Sequence, residues 1–490
     1  MFKYIAIILL LFVQTFCCAV AIAQPPIVIT SAQEKELTNI LPLPQATIHR
    51  TKSLTLEDAI VLALRNNPAV RSSRLQRIMD RYALELANYA FEPQFKFSSN
   101  VTFTQGERTG YNVNPSISLN TPWGTQLSLN NTMDLQGHQQ EELHIVQPLL
   151  RGFGEVNKIP WLNAQDNEII ARENFKSSIM DMITQVINQY RRVVQDENNL
   201  KVEERSLKRA ETTANQYQLR VKSGKMAPSE LLQEQSTLAN NRLDIMRDRN
   251  AAQINYQTLL DTLGLSPNSK LKLDSNINFK KYRSPSQQEA IDTALKHNPK
   301  YVTSKIGLEA TRRALISAKD ALRWDLTASG SLNFMRTHGS VPVISGFDSL
   351  SYSSKPTATI EISIPIRDIE AKSSLVSAQI AYINAQDALE QSRRSLIRDV
   401  ITSLNDLNSQ LQQLNLAEQA LVLQRKNLQV EQIKQQYGQT TALNVNIIQD
   451  TLLQQEIEYV NSQINYLNSV TAFQNLLGTT LQTWNIHLVY

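Results

Sequence analysis

Leu56-Glu-Asp-Ala-Ile-Val-Leu-Ala-Leu-Arg-Asn-Asn-Pro68 returns later in the chain as Gln288-Glu-Ala-Ile-Asp-Thr-Ala-Leu-Lys-His-Asn-Pro299. Each copy carries an Asn-Pro step. A second correspondence closes each half: Gly224 and Gly264 are answered by Gly438 and Gly478 at the same spacing. Self-similarity over so long a period means one supersecondary block used twice. Thr55 stands where a helix N-cap belongs, and a helical pattern follows it to about Phe91. Its counterpart runs from about Ser286 to Arg323.

Downstream of each helix the apolar period changes to two. Phe95, Phe97, Ser99, Val101 and Phe103 alternate with Lys96, Ser98, Asn100, Thr102 and Thr104. Ile117, Leu119, Leu127, Leu129 and Met133 continue the pattern. Gln105 to Asn112 reads as a loop, Pro122-Trp-Gly124 as a bend, and the strand signal ends near Gln147-Pro148. In the second copy Leu326, Ala328, Gly330, Leu332 and Phe334 alternate with Thr327, Ser329, Ser331 and Asn333. A Gly/Ser-rich loop follows (His338 to Ser354), then Ala358, Ile360, Ile362 and Ile364 alternate with Thr357, Thr359, Glu361 and Ser363, up to Pro365. One face is apolar and the other carries small hydroxyls and amides. A half-buried strand of a soluble sheet has this pattern; a barrel strand with lipid on one side and a wet lumen on the other requires it.

The period then becomes helical over about 163–222 and about 371–436. At about 1.5 Å per residue the first run is roughly 90 Å long. Val400, Leu407, Leu414, Leu421 and Leu428 recur every seventh residue, with Leu404 and Leu411 between them, which is coiled-coil spacing. Ser223-Gly-Lys and Tyr437-Gly-Gln end these runs, and a second helix returns to Leu263-Gly264 or Leu477-Gly478. The expected organisation is a signal peptide at 1–23, an extended arm or disordered tail at 24–52, repeat 1 at 53–284, repeat 2 at 285–481 and a tail at 482–490. Strands are expected at about 94–148 and 325–366, and hairpins at about 160–264 and 371–478.

Lys3, the apolar run from Ile5 to Val20 and Ala21-Ile-Ala23 before Gln24 make an export signal. The only cysteines, Cys17 and Cys18, fall inside it, so an exported chain has no disulfide staples. Net charge is +4, from 49 basic and 45 acidic residues intermixed, with no basic stripe for nucleic acid. The histidines (His49, His138, His144, His297, His338 and His487) are scattered without metal spacing. Gly152-Phe-Gly154 lacks the third glycine of a dinucleotide site, and no hydrolase elbow is present. The reading is not an enzyme, with no cofactor. One main strand pair per copy gives about four strands per chain. Spanning barrels start at about 8 strands, so several chains must share one, and three would give about 12.

The duplicated plan, the helix opening Leu56-Glu-Asp-Ala-Ile…Asn-Asn-Pro68, the strand exit Gln147-Pro-Leu-Leu-Arg-Gly152 and the tip Gly438-Gln-Thr-Thr-Ala-Leu-Asn-Val445 together resemble the TolC-like outer-membrane efflux protein family, over nearly all of 53–481. The resemblance implies a mainly α chain forming a homotrimer. Its twelve-stranded barrel would sit in the lipid of a Gram-negative outer membrane, continued by a periplasmic α-helical coiled-coil barrel. It implies a passive exit duct for efflux or type I secretion, opened by a periplasmic adaptor and energised by an inner-membrane transporter. The adaptor would dock on the tips: Gly224, Lys225, Pro228, Ser229, Glu230 and Leu231 in the first, Gly438, Gln439, Thr441, Leu443, Asn444 and Val445 in the second. Some relatives carry two acidic residues in the second tip where this chain has Asn444 and Ile447. A gate ring would then draw on Glu230, Glu234, Asn444 or Asp450. The residues also admit an exported coiled-coil interaction protein without channel activity. Trp123 and Tyr111 fit either a lipid–water belt or turn packing.

Overall fold

The computed structural model describes residues 53–103, 110–134, 139–224, 226–277, 281–337 and 351–488. The signal and arm, His49, His138, His338, Lys225 and the last two residues of the tail lie outside them. Each repeat opens with two helices where the sequence suggested one: α1 (Leu56–Asn66) and α2 (Pro68–Tyr89), then α5 (Gln287–His297) and α6 (Pro299–Asp320). The break falls at the Asn-Pro step because the residue before a proline is pushed out of the α region; Asn67 and Asn298 are extended, at ψ 124° and 117°. Each asparagine ends one helix and caps the next. Asn67 Oδ1 accepts from the Ala69 N–H (2.8 Å), and Asn298 Oδ1 from the Tyr301 N–H (3.2 Å). Thr55 and Asp58 form a reciprocal capping box at the start of α1.

The long helices are α3 (Ile159–Lys222, 64 residues) and α7 (Ile369–Gln436, 68 residues), returning as α4 (Pro228–Thr262) and α8 (Ala442–Leu477). A short α9 (Thr480–Thr483) follows. The heptad residues Val400, Leu404, Leu407, Leu414, Leu421 and Leu428 are all buried. Each repeat has its own core, built from matching positions. Ala59 and Ala63 of α1 correspond to Ala290 and Ala294 of α5, and all four are fully buried. Small side chains there let the short helices press against α3 and α7.

The end of each hairpin returns to the Asn-Pro step. The Asn67 amide donates to the Thr262 carbonyl (2.7 Å), and the Asn298 amide to the Leu476 carbonyl (2.9 Å). Gly264 (φ +71°) and Gly478 (φ +76°) pass so close that a Cβ would lie 2.4 Å from the Asn66 carbonyl oxygen or 2.3 Å from that of His297. The two sequence correspondences, Asn-Pro and glycine, are thus the two sides of one contact, made twice.

The strand count differs from the expectation of about four. The first repeat holds four strands, β1 (Gln94–Thr102), β2 (Gly110–Asn120), β3 (Gln126–Asp134) and β4 (Gln139–Pro148). The second holds β5 (Asp325–Thr337) and β6 (Ser351–Ser363). They form one antiparallel sheet in sequence order, β1 to β6. The miscount has a local cause. Pro122-Trp123-Gly124 is a full chain reversal, not a bend: Gly124 sits at φ +92°, and the Thr121 N–H meets the Thr125 carbonyl at 2.8 Å. The residues expected to form one strand pair with a bend are two hairpins, β1–β2 and β3–β4. Trp123 in this reversal is more than half exposed and carries the Lys158 ammonium 4.9 Å above its ring.

Gly478→Ala is expected to destabilise far more than Gly438→Ala. Both glycines have positive φ, which costs an alanine about 1–3 kcal/mol, but only Gly478 also meets backbone; nothing lies within 4 Å of a Cβ at Gly438. Denaturant midpoints of the purified variants check this, and equal losses would show that the close approach does not matter.

Candidate functional site

The hairpin tips lie at the ends of the longest helices. Gly224 (φ +70°) and Gly438 (φ +72°) terminate α3 and α7 in the left-handed conformation. Pro228 opens α4, where its missing N–H would be unpaired in any case. Glu230 lies in the first turn of α4, where the helix dipole favours a carboxylate. At the second tip the cap is Thr441, whose hydroxyl accepts from the Asn444 N–H (3.3 Å), while the Asn444 amide donates to the Thr440 hydroxyl (3.3 Å). Ser229, Glu230, Gln439, Leu443 and Asn444 are exposed, and Leu231 is half-buried. Tyr437, Leu443 and Ile447 put apolar surface at the second tip, with Tyr437 76% exposed.

Two predicted residues are not on this surface. Val445, 2% exposed, packs with Leu421, Leu428 and Leu452 inside the second hairpin. Glu234 is 1% exposed and accepts a hydrogen bond from the Asn446 amide of α8 (2.5 Å). Burial raises the Glu234 carboxyl above its ordinary range; the Asn446 bond opposes this and the Asp450 charge adds to it. Glu234 therefore belongs to the contact between hairpins and not to an open ring, in contrast to its sequence reading. Glu230 keeps an exposed carboxylate, and Asp450 is exposed beside the Glu234 pair.

Contacts between the two hairpins rest on polar residues that the sequence did not single out. The Gln435 amide of α7 donates to the Tyr217 hydroxyl of α3 (3.1 Å), close to the tips. Glu456 of α8 lies 3.1 Å from Arg425 of α7 and 3.6 Å from Arg209 of α3. Farther along, Arg191 of α3 donates to the Leu467 carbonyl (2.6 Å), the Thr471 hydroxyl (2.8 Å) and the Asn468 side chain (3.2 Å). Burial pushes its guanidinium down to about 10. No sequence signal pairs the residues that meet across the hairpins, because each such partner is two hundred or more positions away.

Between α3, α4 and α8 a cavity of about 210 Å³ is lined by Glu203, Ser206, Asp244, Asp248 and Gln454. The Glu203 carboxyl is pushed up to about 8, first by burial, then by its hydrogen bond with Asp248 and the charges of Asp248, Asp244 and Glu204. Among the described residues no cluster has the make-up of a metal site, and no helix is long and apolar enough to cross a membrane. The latter says nothing of strands.

Residues 290–479 match the model of the outer membrane efflux protein family. The second repeat is thus similar to an outer membrane efflux protein domain. The whole architecture is that of solved outer-membrane channels. VceC from Vibrio cholerae superposes with a TM-score of 0.64 at 15% identity, over 86% of this chain and 96% of that one. CmeC from Campylobacter jejuni gives 0.64 at 13%, over 89% and 91%. The open-state MtrE channel from Neisseria gonorrhoeae gives 0.63 at 14%, over 94% and 97%. At such identities the likeness establishes the TolC-like fold. A search of curated protein sequences finds no match.

A raised carboxyl favours its neutral form in the folded state, so its contribution is complete below the ordinary value of 4.5 and is lost as pH rises through about 8. Thermal stability of the purified protein is expected to fall from about pH 4.5 to about 8 and to level off above it, and Glu203→Gln is expected to flatten that fall. An unchanged slope in Glu203→Gln would remove Glu203 as its source.

Proposed function

We propose that this chain is the outer-membrane exit duct of a tripartite efflux or type I secretion system in a Gram-negative bacterium. It works as a homotrimer, is opened by a periplasmic adaptor and is energised by an inner-membrane transporter. The observation that carries the reading is the join between two unlike parts. A sheet with one apolar and one polar face continues directly into two helical hairpins whose long arms are 64 and 68 residues. A soluble coiled-coil protein has no use for a sheet that leaves Phe97, Ile360 and Ile362 more than half exposed. A barrel needs that face against hydrocarbon, and the efflux-protein domain of the second repeat agrees with it. The duct role asks no catalysis of the chain.

Docking of the adaptor is assigned to the exposed tip residues, with Tyr437, Leu443 and Ile447 as the apolar part and Ser229, Glu230, Gln439 and Asn444 as the polar part. Glu230 is the tip carboxylate left free to face a threefold axis, where one residue becomes a ring of three. The Tyr217–Gln435 and Glu234–Asn446 bonds join the hairpins at the same level, so that opening by relative movement of the hairpins would break them.

Membrane fractions are expected to retain the protein in high salt, release it to detergent as a trimer and place it with the outer membrane. A stable single-chain particle without detergent would overturn the duct and favour the interaction-protein reading. In planar bilayers Glu230→Ala is expected to weaken block of single channels by divalent cations; unchanged block would take Glu230 out of the gate.

A further inference from the structure

We propose that the cavity between α3, α4 and α8 is a binding site for a small alkylammonium cation, held by the carboxylates of Glu203 and Asp248. None of the tip residues takes part. Along α3, Glu203 stands about 30 Å from the tip glycine Gly224, at about 1.5 Å per residue. Occupancy of this cavity does not depend on the duct reading.

The first support is the charge around Glu203. This residue is 9% exposed, and its Oε2 is buried without a hydrogen-bond partner among the described residues. A buried acceptor in that state is unfavourable, and more so when it is charged. The charges that act on it come from Asp248 and Asp244 of α4 and from Glu204 beside it on α3, and all are negative. Two cations of α4 are engaged with other carboxylates: Arg247 with Asp244 (3.2 Å) and Arg249 with Glu204 (3.1 Å). From α8 the lining is Leu453, Gln454 and Ile457, none of them charged. What completes such a group is a proton or a cation that carries hydrogen-bond donors.

The second support is the lining. Glu203, Ser206 and Ile245 are its buried members, while Asp244, Asp248 and Gln454 are exposed and form the rim. An ammonium group has three donors and no acceptor. The Glu203 and Asp248 carboxylates, with the Ser206 hydroxyl and the Gln454 amide oxygen, offer it acceptors only. Ile245, Leu453 and Ile457 give an alkyl body an apolar wall. A bare metal ion has no use for that wall, and among the described residues no carboxylates converge as a metal site requires. The volume, about 210 Å³, is below the roughly 300–1,000 Å³ of pockets for drug-sized ligands. The occupant is therefore small.

Proton and cation compete for the same place. Two carboxyl groups hydrogen-bond to each other only around a proton. Glu203, pushed up to about 8 by burial and by Asp248, holds that proton at neutral pH. An entering ammonium group releases it to solvent. Binding then tightens as pH rises, by about tenfold per pH unit below pH 8, and at pH 7 about 0.9 proton leaves for each cation bound. Once occupied, the site ties Gln454 of α8 to the carboxylates of α3 and α4, and so joins the second hairpin to the first.

The test is calorimetric titration of the purified full chain with 1,4-diaminobutane, which has one ammonium group for the buried floor and one for the rim. The neutral 1,4-butanediol and Mg²⁺ alone are the comparisons. One diamine is expected to bind per chain, about tenfold more tightly at pH 7 than at pH 6. Titrations at pH 7 in two buffers of different ionisation heat are expected to show the released proton. Glu203→Gln is expected to bind at least tenfold more weakly and to lose the pH dependence while still melting cooperatively. Asp248→Asn is expected to weaken binding in the same direction, so the outcome does not hang on one variant. A diamine drawn only to the acidic surface would bind Glu203→Gln as it binds the native chain, and that overturns the proposal. Equal binding of the diol, saturable binding of Mg²⁺ without the diamine, or no saturable binding at all overturns it as well. Each of these results leaves the duct reading untouched.

Discussion

The return of each hairpin to the Asn-Pro step is the contact on which the rest depends. Chain entering at α1 leaves through the strands, runs the length of α3, turns at a tip and comes back along α4. The Asn67 amide on the Thr262 carbonyl and the close passage of Gly264 over Asn66 fix where that excursion ends. Repeat 2 makes the same closure with Asn298, Leu476, Gly478 and His297. The asparagine suits this place because it can end one helix, cap the next and still donate across to a third segment. The glycine suits it because any side chain would meet backbone. Long helices magnify angular error, so a fixed base is the condition for two tips to meet far away.

Toward the strands, the governing constraint is different. A sheet with both faces specified by alternation has no freedom of register, and its two edges must find partners. In water an edge can be left to solvent; against hydrocarbon it cannot. The helical part faces the opposite problem. Its two hairpins meet at polar groups, Tyr217 with Gln435, Glu234 with Asn446, Arg191 with Leu467 and Thr471. Such contacts can separate and be rehydrated at modest cost, unlike an apolar core. The molecule thus combines a part that must not open with a part that can.

Much of the architecture was legible along the chain. The seven-residue spacing of Val400 to Leu428 gave a helix that is found, and Pro228 and Thr441 stand where helix-start rules put them. Two elements were misread for local reasons. A helix was carried through Asn67-Pro68 and Asn298-Pro299, although the proline constraint breaks it there. A turn at Pro122-Trp123-Gly124 was taken for a bend, because alternation on either side is the same for a continued strand and for a reversed one. At the tips, exposure of Glu230 and Leu443 followed from their place beside a turn. The burial of Glu234 and Val445 did not, since it depends on which helix lies opposite.

The sequence by itself determined the duplicated plan, the kinds of element and the two-faced character of every strand, because periodicity and turn chemistry act over a few residues. The tertiary structure alone decided that the strands number six and share one continuous surface, that the repeated glycines lie on the repeated asparagines, and that Glu234 turns inward to Asn446. Those facts join residues tens to hundreds of positions apart. A hydrogen bond or a close backbone approach exists only when both partners have been placed.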